Sequence, residues 1–305
     1  MVTIPYIAEA LLNKCWSEIR AKHNETAVRR SIALSDPIRP LAARQALKEN
    51  ILGRERALFG GSLRRLIILG GAIDAAVQKG LRQLGVFAVQ GYGMTECAGL
   101  AALNTDEQYR DGTAGLAFPG TALDIYNPQP DGSGEIRYQG NNLMLGYLGD
   151  EARTASVLRD GWYYTGDIGR IDEAGFLHVL GRRRNCLVTA EGLLICPEEL
   201  ERLLTQSPFI REAVVVGVPT EDGSDCEPAA LIVPELTHAA EIFGDNFDEV
   251  ALEGAIDTWI AEINACLQPY QQIGLYALRA EPFERDAAGS ICRQGLAEIF
   301  AAALE

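Results

Sequence analysis

Apolar positions recur at intervals of three and four over residues 4–22, at Ile7, Leu11, Leu12, Cys15, Trp16 and Ile19, and this spacing predicts an amphipathic helix. Residues 29–50 read as a polar connection that ends in a second helical piece. The run at 63–69 is strand-like and passes into Gly70-Gly71-Ala72, a turn of small residues where backbone can come close to a ligand. A helix is expected over 74–84 with Asp74 as its cap, and a second strand over 86–90 leads at once into Gly91-Tyr92-Gly93-Met94-Thr95-Glu96. Strand, helix and strand with a glycine-rich exit make a parallel α/β unit, whose ligands sit beyond the carboxyl ends of the strands.

The pattern then shortens. Residues 112–147 alternate turn signals with brief β-prone runs, as a small β-barrel or meander does, and 151–158 is a short helix. From 161 large apolar residues alternate with small or acidic ones, and Asp172-Glu173-Ala174-Gly175 turns the chain back. A hairpin around Gly192 is expected over 187–195, and Pro197 takes the first position of a helix reaching 206. Strands over 213–218, 229–233 and 275–279, with helices over 250–267 and 294–304, complete a small α/β domain. The joint falls near Asn185, giving domains 1–184 and 185–305.

At 305 residues and 48% apolar composition, two cores are the expected count. A formal net charge of −15 argues against nucleic acid or an anionic membrane as partner, although Arg182-Arg183-Arg184 could still meet a phosphate or form a solvated basic turn. Seven cysteines, with neither CxxC spacing nor a disulfide framework, point to a reducing cytoplasm. Three histidines give little support to histidine-driven catalysis or a histidine-rich metal site. No apolar run approaches the roughly 20 residues of a membrane span, and the first residues lack the features of an export signal.

Two stretches carry candidate chemistry. Asp167, after Thr165-Gly166, sits on one strand of the 161–182 hairpin and Arg182 at the end of the next. A carboxylate with paired acceptor oxygens and a guanidinium fork can clamp a ribose diol, and the alternative is a surface ion pair. The Tyr92–Glu96 run offers an aromatic face, a hydroxyl and a hard oxygen ligand in one loop.

The blocks Tyr92-Gly93-Met94-Thr95-Glu96, Tyr164-Thr165-Gly166-Asp167, Gly181-Arg182 and Pro197-Glu198-Glu199-Leu200-Glu201 resemble, in order and spacing, motifs of the adenylate-forming (AMP-binding) superfamily, of the acyl-CoA synthetase or long-chain fatty acid CoA ligase type. The resemblance covers only the carboxyl-terminal part of that family. It implies the end of the large adenylate-forming domain, a parallel α/β unit plus small β-barrel, followed by a small mobile α/β domain. By resemblance Gly70, Gly71, Ala72, Tyr92, Gly93, Thr95, Asp167 and Arg182 bind the nucleotide of ATP or AMP, with Tyr92 stacked on adenine, Thr95 on phosphate and Glu96 holding Mg²⁺. The same resemblance makes Asn185 the hinge and places Gly192 in the tunnel for CoA. A fatty acid and CoA become the expected substrates.

Two departures bear on catalysis. No Ser/Thr/Gly-rich loop ending in Pro-Lys-Gly occurs to cradle a triphosphate, and an amino-terminal half from another chain is one way to supply it. The family's tail lysine is replaced by Ser290, leaving Arg285 and Arg293 as nearby cations. Two classes follow: an acid–thiol ligase whose adenylation is impaired in this chain alone, or a non-catalytic relative that binds AMP, an acyl adenylate or a partner protein.

Overall fold

The computed structural model describes residues 1–22, 26, 28–30, 62–71, 73–220, 223–244, 247–286 and 291–303. The expected connection over 31–50, Ala72 and Ser290 lie outside them. The described residues divide into two compact units, the first comprising Met1–Tyr126, Ile136–Thr165 and Arg170–Val179, the second Asn127–Glu135, Gly166–Gly169 and Leu180–Glu305.

In the first unit, β1 (Val2–Thr3), β2 (Arg65–Ile68) and β3 (Phe87–Tyr92) pair in parallel, and β4 (Ala102–Leu103) and β5 (Leu116–Ala117) extend the sheet antiparallel. Helices α1 (Pro5–Lys22) and α2 (Ala75–Gln83) pack on it through Ala8 and Leu81, with Ile73 just before α2, against Leu66, Ile68 and Ala88. Asp74 caps α2 as expected, its Oδ1 accepting from the Ala76 amide at 2.7 Å. The strand expected to stop at Gln90 runs on through Tyr92, because Gly91 and Tyr92 pair with Leu103 and Ala102. Cross-strand partners far along the chain set that end, and local periodicity does not report them.

A second sheet has the order β10-β9-β7-β6, with β8 (Leu158–Arg159) paired to β9. Its members are β6 (Thr121–Tyr126), β7 (Gly134–Gly140), β9 (Trp162–Ile171) and β10 (Leu177–Arg182), with α3 (Glu151–Val157) just before β8. The turn between β9 and β10 closes where expected, the Gly175 amide donating to the Asp172 carbonyl at 2.8 Å.

The second unit is built on β13 (Ile210–Pro219), β14 (Cys226–Pro234) and β15 (Leu275–Leu278), with β14 in the middle, antiparallel to β13 and parallel to β15. Side chains alternate across this sheet. Ala213, Val215, Ala230 and Ile232 meet helices α4 (Pro197–Leu204) and α6 (Glu249–Asn264), while Val214, Val216, Leu231 and Val233 meet α7 (Leu296–Ala303). A further helix, α5 (Leu236–Phe243), was not expected; Glu235 accepts from the Thr237 amide at its start and Ala239 enters the core. Strands β11 (Leu187–Val188) and β12 (Leu194–Ile195) form the expected hairpin. Among the described residues no helix is long and apolar enough to cross a membrane.

Because both faces of β14 are covered, Leu231→Ala is expected to cost about 2–5 kcal/mol in urea-induced unfolding. Leu275→Ala, on a strand next to β14 but 43% exposed, should change stability by no more than about 0.5 kcal/mol.

Candidate functional site

Tyr92, Gly93, Thr95 and Glu96 belong to the first unit and Asp167, Arg182, Asn185 and Gly192 to the second, so the sequence-derived residues fall into two groups.

In the first group the chain leaves β3 at Tyr92, passes Gly93 and makes a short 3₁₀ turn over Thr95–Cys97. Tyr92 is only 8% exposed, its ring taken up by a cluster with Cys97, Ala102, Ile136 and Tyr138, and this leaves little face for stacking. Thr95 is exposed. Gly93 is obligatory on space: a Cβ there would stand 1.7 Å from the Gly99 carbonyl oxygen. The turn ends with Ala98 in the left-handed region at φ 57°, an uncommon conformation for a residue with a Cβ. It is held by partners outside the motif. The Asn142 amide donates to the Cys97 carbonyl at 2.6 Å, and the Met144 amide to the Glu96 carbonyl at 2.8 Å.

Glu96 is half-buried, and its Oε1 accepts from the Tyr147 hydroxyl at 2.8 Å. Burial works against its charge, but its own backbone amide, the Tyr147 and Tyr163 hydroxyls and the Arg153 guanidinium together hold the carboxyl below its ordinary value of 4.5. Tyr163 is pushed the other way, by burial and by Tyr147 and Glu96. A single ionised carboxylate suits Mg²⁺, which takes one or two protein carboxylates and completes its shell from phosphates and water. Upstream, Gly70 follows β2 with φ 87°, and the Gly71 carbonyl accepts from the Gln90 side chain at 3.3 Å.

In the second group the structure brings Asp167 and Arg182 together at 2.8 Å, with the Asp167 side chain 8% exposed and that of Arg182 59% exposed. A buried carboxylate thus meets an arginine that reaches solvent. Gly166 precedes it with φ 70°, a conformation that favours glycine, and its amide donates to Glu135 Oε1 at 3.1 Å. Glu135 Oε2 pairs with Arg183 at 2.8 Å, so one buried carboxylate steadies both ends of the clamp.

Asn185 ends the 3₁₀ turn Arg183–Asn185, and its amide donates to Glu198 Oε1 at 2.5 Å. Gly192 turns the β11–β12 hairpin at φ 82°, and a Cβ there would meet nothing within 4 Å among the described residues. Its backbone angle, rather than space within this chain, accounts for the glycine.

Arg293, the tail cation nearest Ser290, is committed elsewhere. Its guanidinium donates twice to Glu201, at 2.6 and 2.8 Å, and lies 3.8 Å from Glu198. Burial pushes Glu201 above its ordinary value against the pull of Arg293 and the Val215 amide. For Arg293 burial opposes the charge, yet Glu201 outweighs it and the proton is held more tightly than usual. Arg285 stands 3.5 Å from Glu212.

Three features escaped the sequence reading. Tyr147 and Asn142 lie in the 112–147 stretch of turns and brief β-prone runs, and their roles come from contacts with residues some 45–51 positions away. Glu135 shares the same reason, 31 and 48 positions from Gly166 and Arg183. The cysteines, spaced without a pairing pattern, nevertheless include Cys186 and Cys196 with sulfurs 3.3 Å apart.

Residues 1–148 match the family model described as AMP-binding enzyme. Over 284 residues the chain is 30% identical to the long-chain-fatty-acid–CoA ligase FadD15 of Mycobacterium bovis, a match covering 87% of this chain and 45% of the relative. A long-chain-fatty-acid–CoA ligase of Salmonella typhimurium is 33% identical over 179 residues, 55% of this chain and 31% of the relative. Among solved structures, the o-succinylbenzoate coenzyme A synthetase of Bacillus subtilis, in complex with ATP and a magnesium ion, superimposes with a TM-score of 0.61 at 25% identity, covering 81% of this chain and 50% of that one. The chain therefore spans half or less of the length of each of these proteins.

Replacing Tyr147 with Phe is expected to raise the Glu96 pKa toward its ordinary value, read as the carboxyl chemical shift in an NMR titration. Because the folded value lies below the unfolded one, the stabilisation from Glu96 is complete above the unfolded pKa and is lost as pH falls through the folded one. The difference in stability between wild type and Tyr147→Phe should therefore narrow in acid. Gly93→Ala should cost about 1–3 kcal/mol, as forced overpacking does, measured by urea unfolding.

Proposed function

Because this chain belongs to the adenylate-forming, AMP-binding superfamily, we propose that it is the AMP-binding portion of an acyl-CoA synthetase, activating a carboxylate as its acyl adenylate for transfer to CoA. The observation that carries this reading is the buried Asp167 carboxylate paired at 2.8 Å with the exposed Arg182. A sugar diol can accept from the guanidinium and donate to the carboxylate, so the pair is set to hold a ribose. Thr95 presents its hydroxyl to phosphate, Tyr92 borders the adenine, and the small residues Gly70, Gly71, Ala72 and Gly93 belong to the same nucleotide-binding set. Glu96 would hold Mg²⁺, which would supply charge neutralisation for the phosphates. The relatives' names support a fatty acyl carboxylate as substrate. Domains divide at residues 184 and 185, Asn185 serves as hinge, and Gly192 lines the path of the CoA thiol.

Adenylation by the chain as given is slow in this reading. Developing charge on phosphate calls for a cation, and Ser290 is neutral. Arg293 does not replace it, because transferring Arg293 to phosphate would abandon the buried Glu201 carboxylate. The alternative, a relative that binds nucleotide without turning it over, draws on the same observation.

Calorimetry is expected to give AMP binding near ~10⁻⁴ M, as a few charge-assisted hydrogen bonds provide. Asp167→Ala should weaken it by about 1.5–3 kcal/mol. Absence of heat at millimolar AMP from demonstrably folded protein would sink the reading. Pyrophosphate exchange with a panel of fatty acids should be negligible for the chain as given and little improved by Ser290→Lys, because no loop cradles the triphosphate either and the two elements act on the same transition state. Robust exchange by the unmodified chain would overturn this part of the reading.

A further inference from the structure

The Cys186–Cys196 pair has no part in the nucleotide reading, and its geometry is that of a site. The sulfurs are 3.3 Å apart within hydrogen-bonding distance of one another, and Cys186 Sγ also donates to the Arg182 carbonyl at 3.4 Å. Strands β11 and β12 pair antiparallel, Leu187 with Ile195 and Val188 with Leu194, so Cys186 and Cys196 flank the open end of the same hairpin. Residues opposite one another across such a ladder have Cα atoms about 4.5–5.5 Å apart, inside the roughly 4.4–6.8 Å that a disulfide spans. Bond formation then requires the sulfurs to close to about 2.05 Å, a shift that side-chain rotation can provide.

The two thiols differ in access. Cys186 is half-buried and next to solvent-facing arginines, whereas Cys196 is buried among Ile168, Leu180 and Leu194. The hydrogen bond with Cys186, and then burial, push the Cys196 thiol well above its ordinary value, so it keeps its proton until its neighbour has reacted.

We propose that Cys186 and Cys196 form a reversible intrachain disulfide in response to a hydroperoxide, with Cys186 as the peroxide-reactive thiol and Cys196 as the resolving one. The Cys186 sulfur, as thiolate, attacks the peroxide oxygen; the O–O bond breaks, the leaving oxygen carries off the electron pair and takes a proton, and Cys186 becomes a sulfenic acid. The Cys196 sulfur then attacks the Cys186 sulfur, the S–O bond breaks, and the hydroxide leaves as water with the Cys196 proton. Two thiols are oxidised by two electrons, and the hydroperoxide is reduced to an alcohol, or a second water, and water. A dithiol reductant reverses the bond. The product closes the base of the hairpin that carries Gly192, between Asn185 and the first turn of α4.

The test uses the full chain in native buffer. It is treated with a small excess of hydrogen peroxide, blocked with N-ethylmaleimide, digested without reduction and mapped by mass spectrometry. The expected result is a peptide pair joining Cys186 to Cys196, lighter by two hydrogens than the two free peptides and released by dithiothreitol. Cys186→Ser and Cys186→Ala should each abolish it with circular dichroism unchanged. The linkage should persist in a Cys266→Ser, Cys292→Ser double variant that lacks the two exposed thiols. Oxidation of Cys186 to the sulfinic acid without linkage, linkage only through Cys266 or Cys292, or equal Cys186–Cys196 linkage in urea-unfolded protein would overturn the proposal.

Discussion

A carboxylate removed from water must be matched by donors or it gives up its charge, and Glu135 shows what that requirement organises. Its side chain is 9% exposed, and its two oxygens are met by the Gly166 amide and the Arg183 guanidinium. Three separate stretches are thereby fixed against one another: the start of β7, the glycine before Asp167 and the turn after Arg182. The Asp167–Arg182 pair inherits its geometry from that arrangement. Removing the Glu135 charge would leave the Gly166 amide without that acceptor, and Arg183 free to compete for Asp167.

The same logic repeats around α4. Glu198 accepts from Asn185 and lies near Arg293, while Glu201 takes both of its amino groups and the Val215 amide. The acidic run after Pro197 is thus an internal anchor for the arginine near the tail and for the turn at Asn185. With a net charge of −15 the chain has no general attraction for anions, and its key arginines are each answered by a carboxylate. In the proposed reading a ribose is met by Arg182, whose side chain reaches solvent, together with Asp167, rather than by a broad positive field.

Around Glu96 the support is different in kind. The acidic residue sits on a turn of three residues closed by Ala98 in an unfavourable conformation, and such a turn persists only where its surroundings over-determine it. Asn142, Met144 and Tyr147 supply that determination through two backbone carbonyls and one carboxylate oxygen. A run that reads as plain scaffold therefore sets both the position of Glu96 and the ease with which it ionises.

Short-range chemistry was legible in the residues themselves. Asp74 at a helix start, Pro197 at a first helical position, the Asp172–Gly175 turn and the Gly192 hairpin are each decided by a few neighbouring dihedrals and one or two local hydrogen bonds, and the alternation along β13 and β14 follows from the pleat alone. The motif order pointed to the family for the same reason, since each motif is a local run. What only the tertiary structure decided is every pairing that closes across ten or more residues: the last two residues of β3, Tyr147 on Glu96, Glu135 beneath Gly166, Arg293 on Glu201 and the two sulfurs at the hairpin base. Periodicity carries the direction a side chain takes from its own element. Which group waits for it there depends on how separate elements pack, and that information is spread over the whole chain.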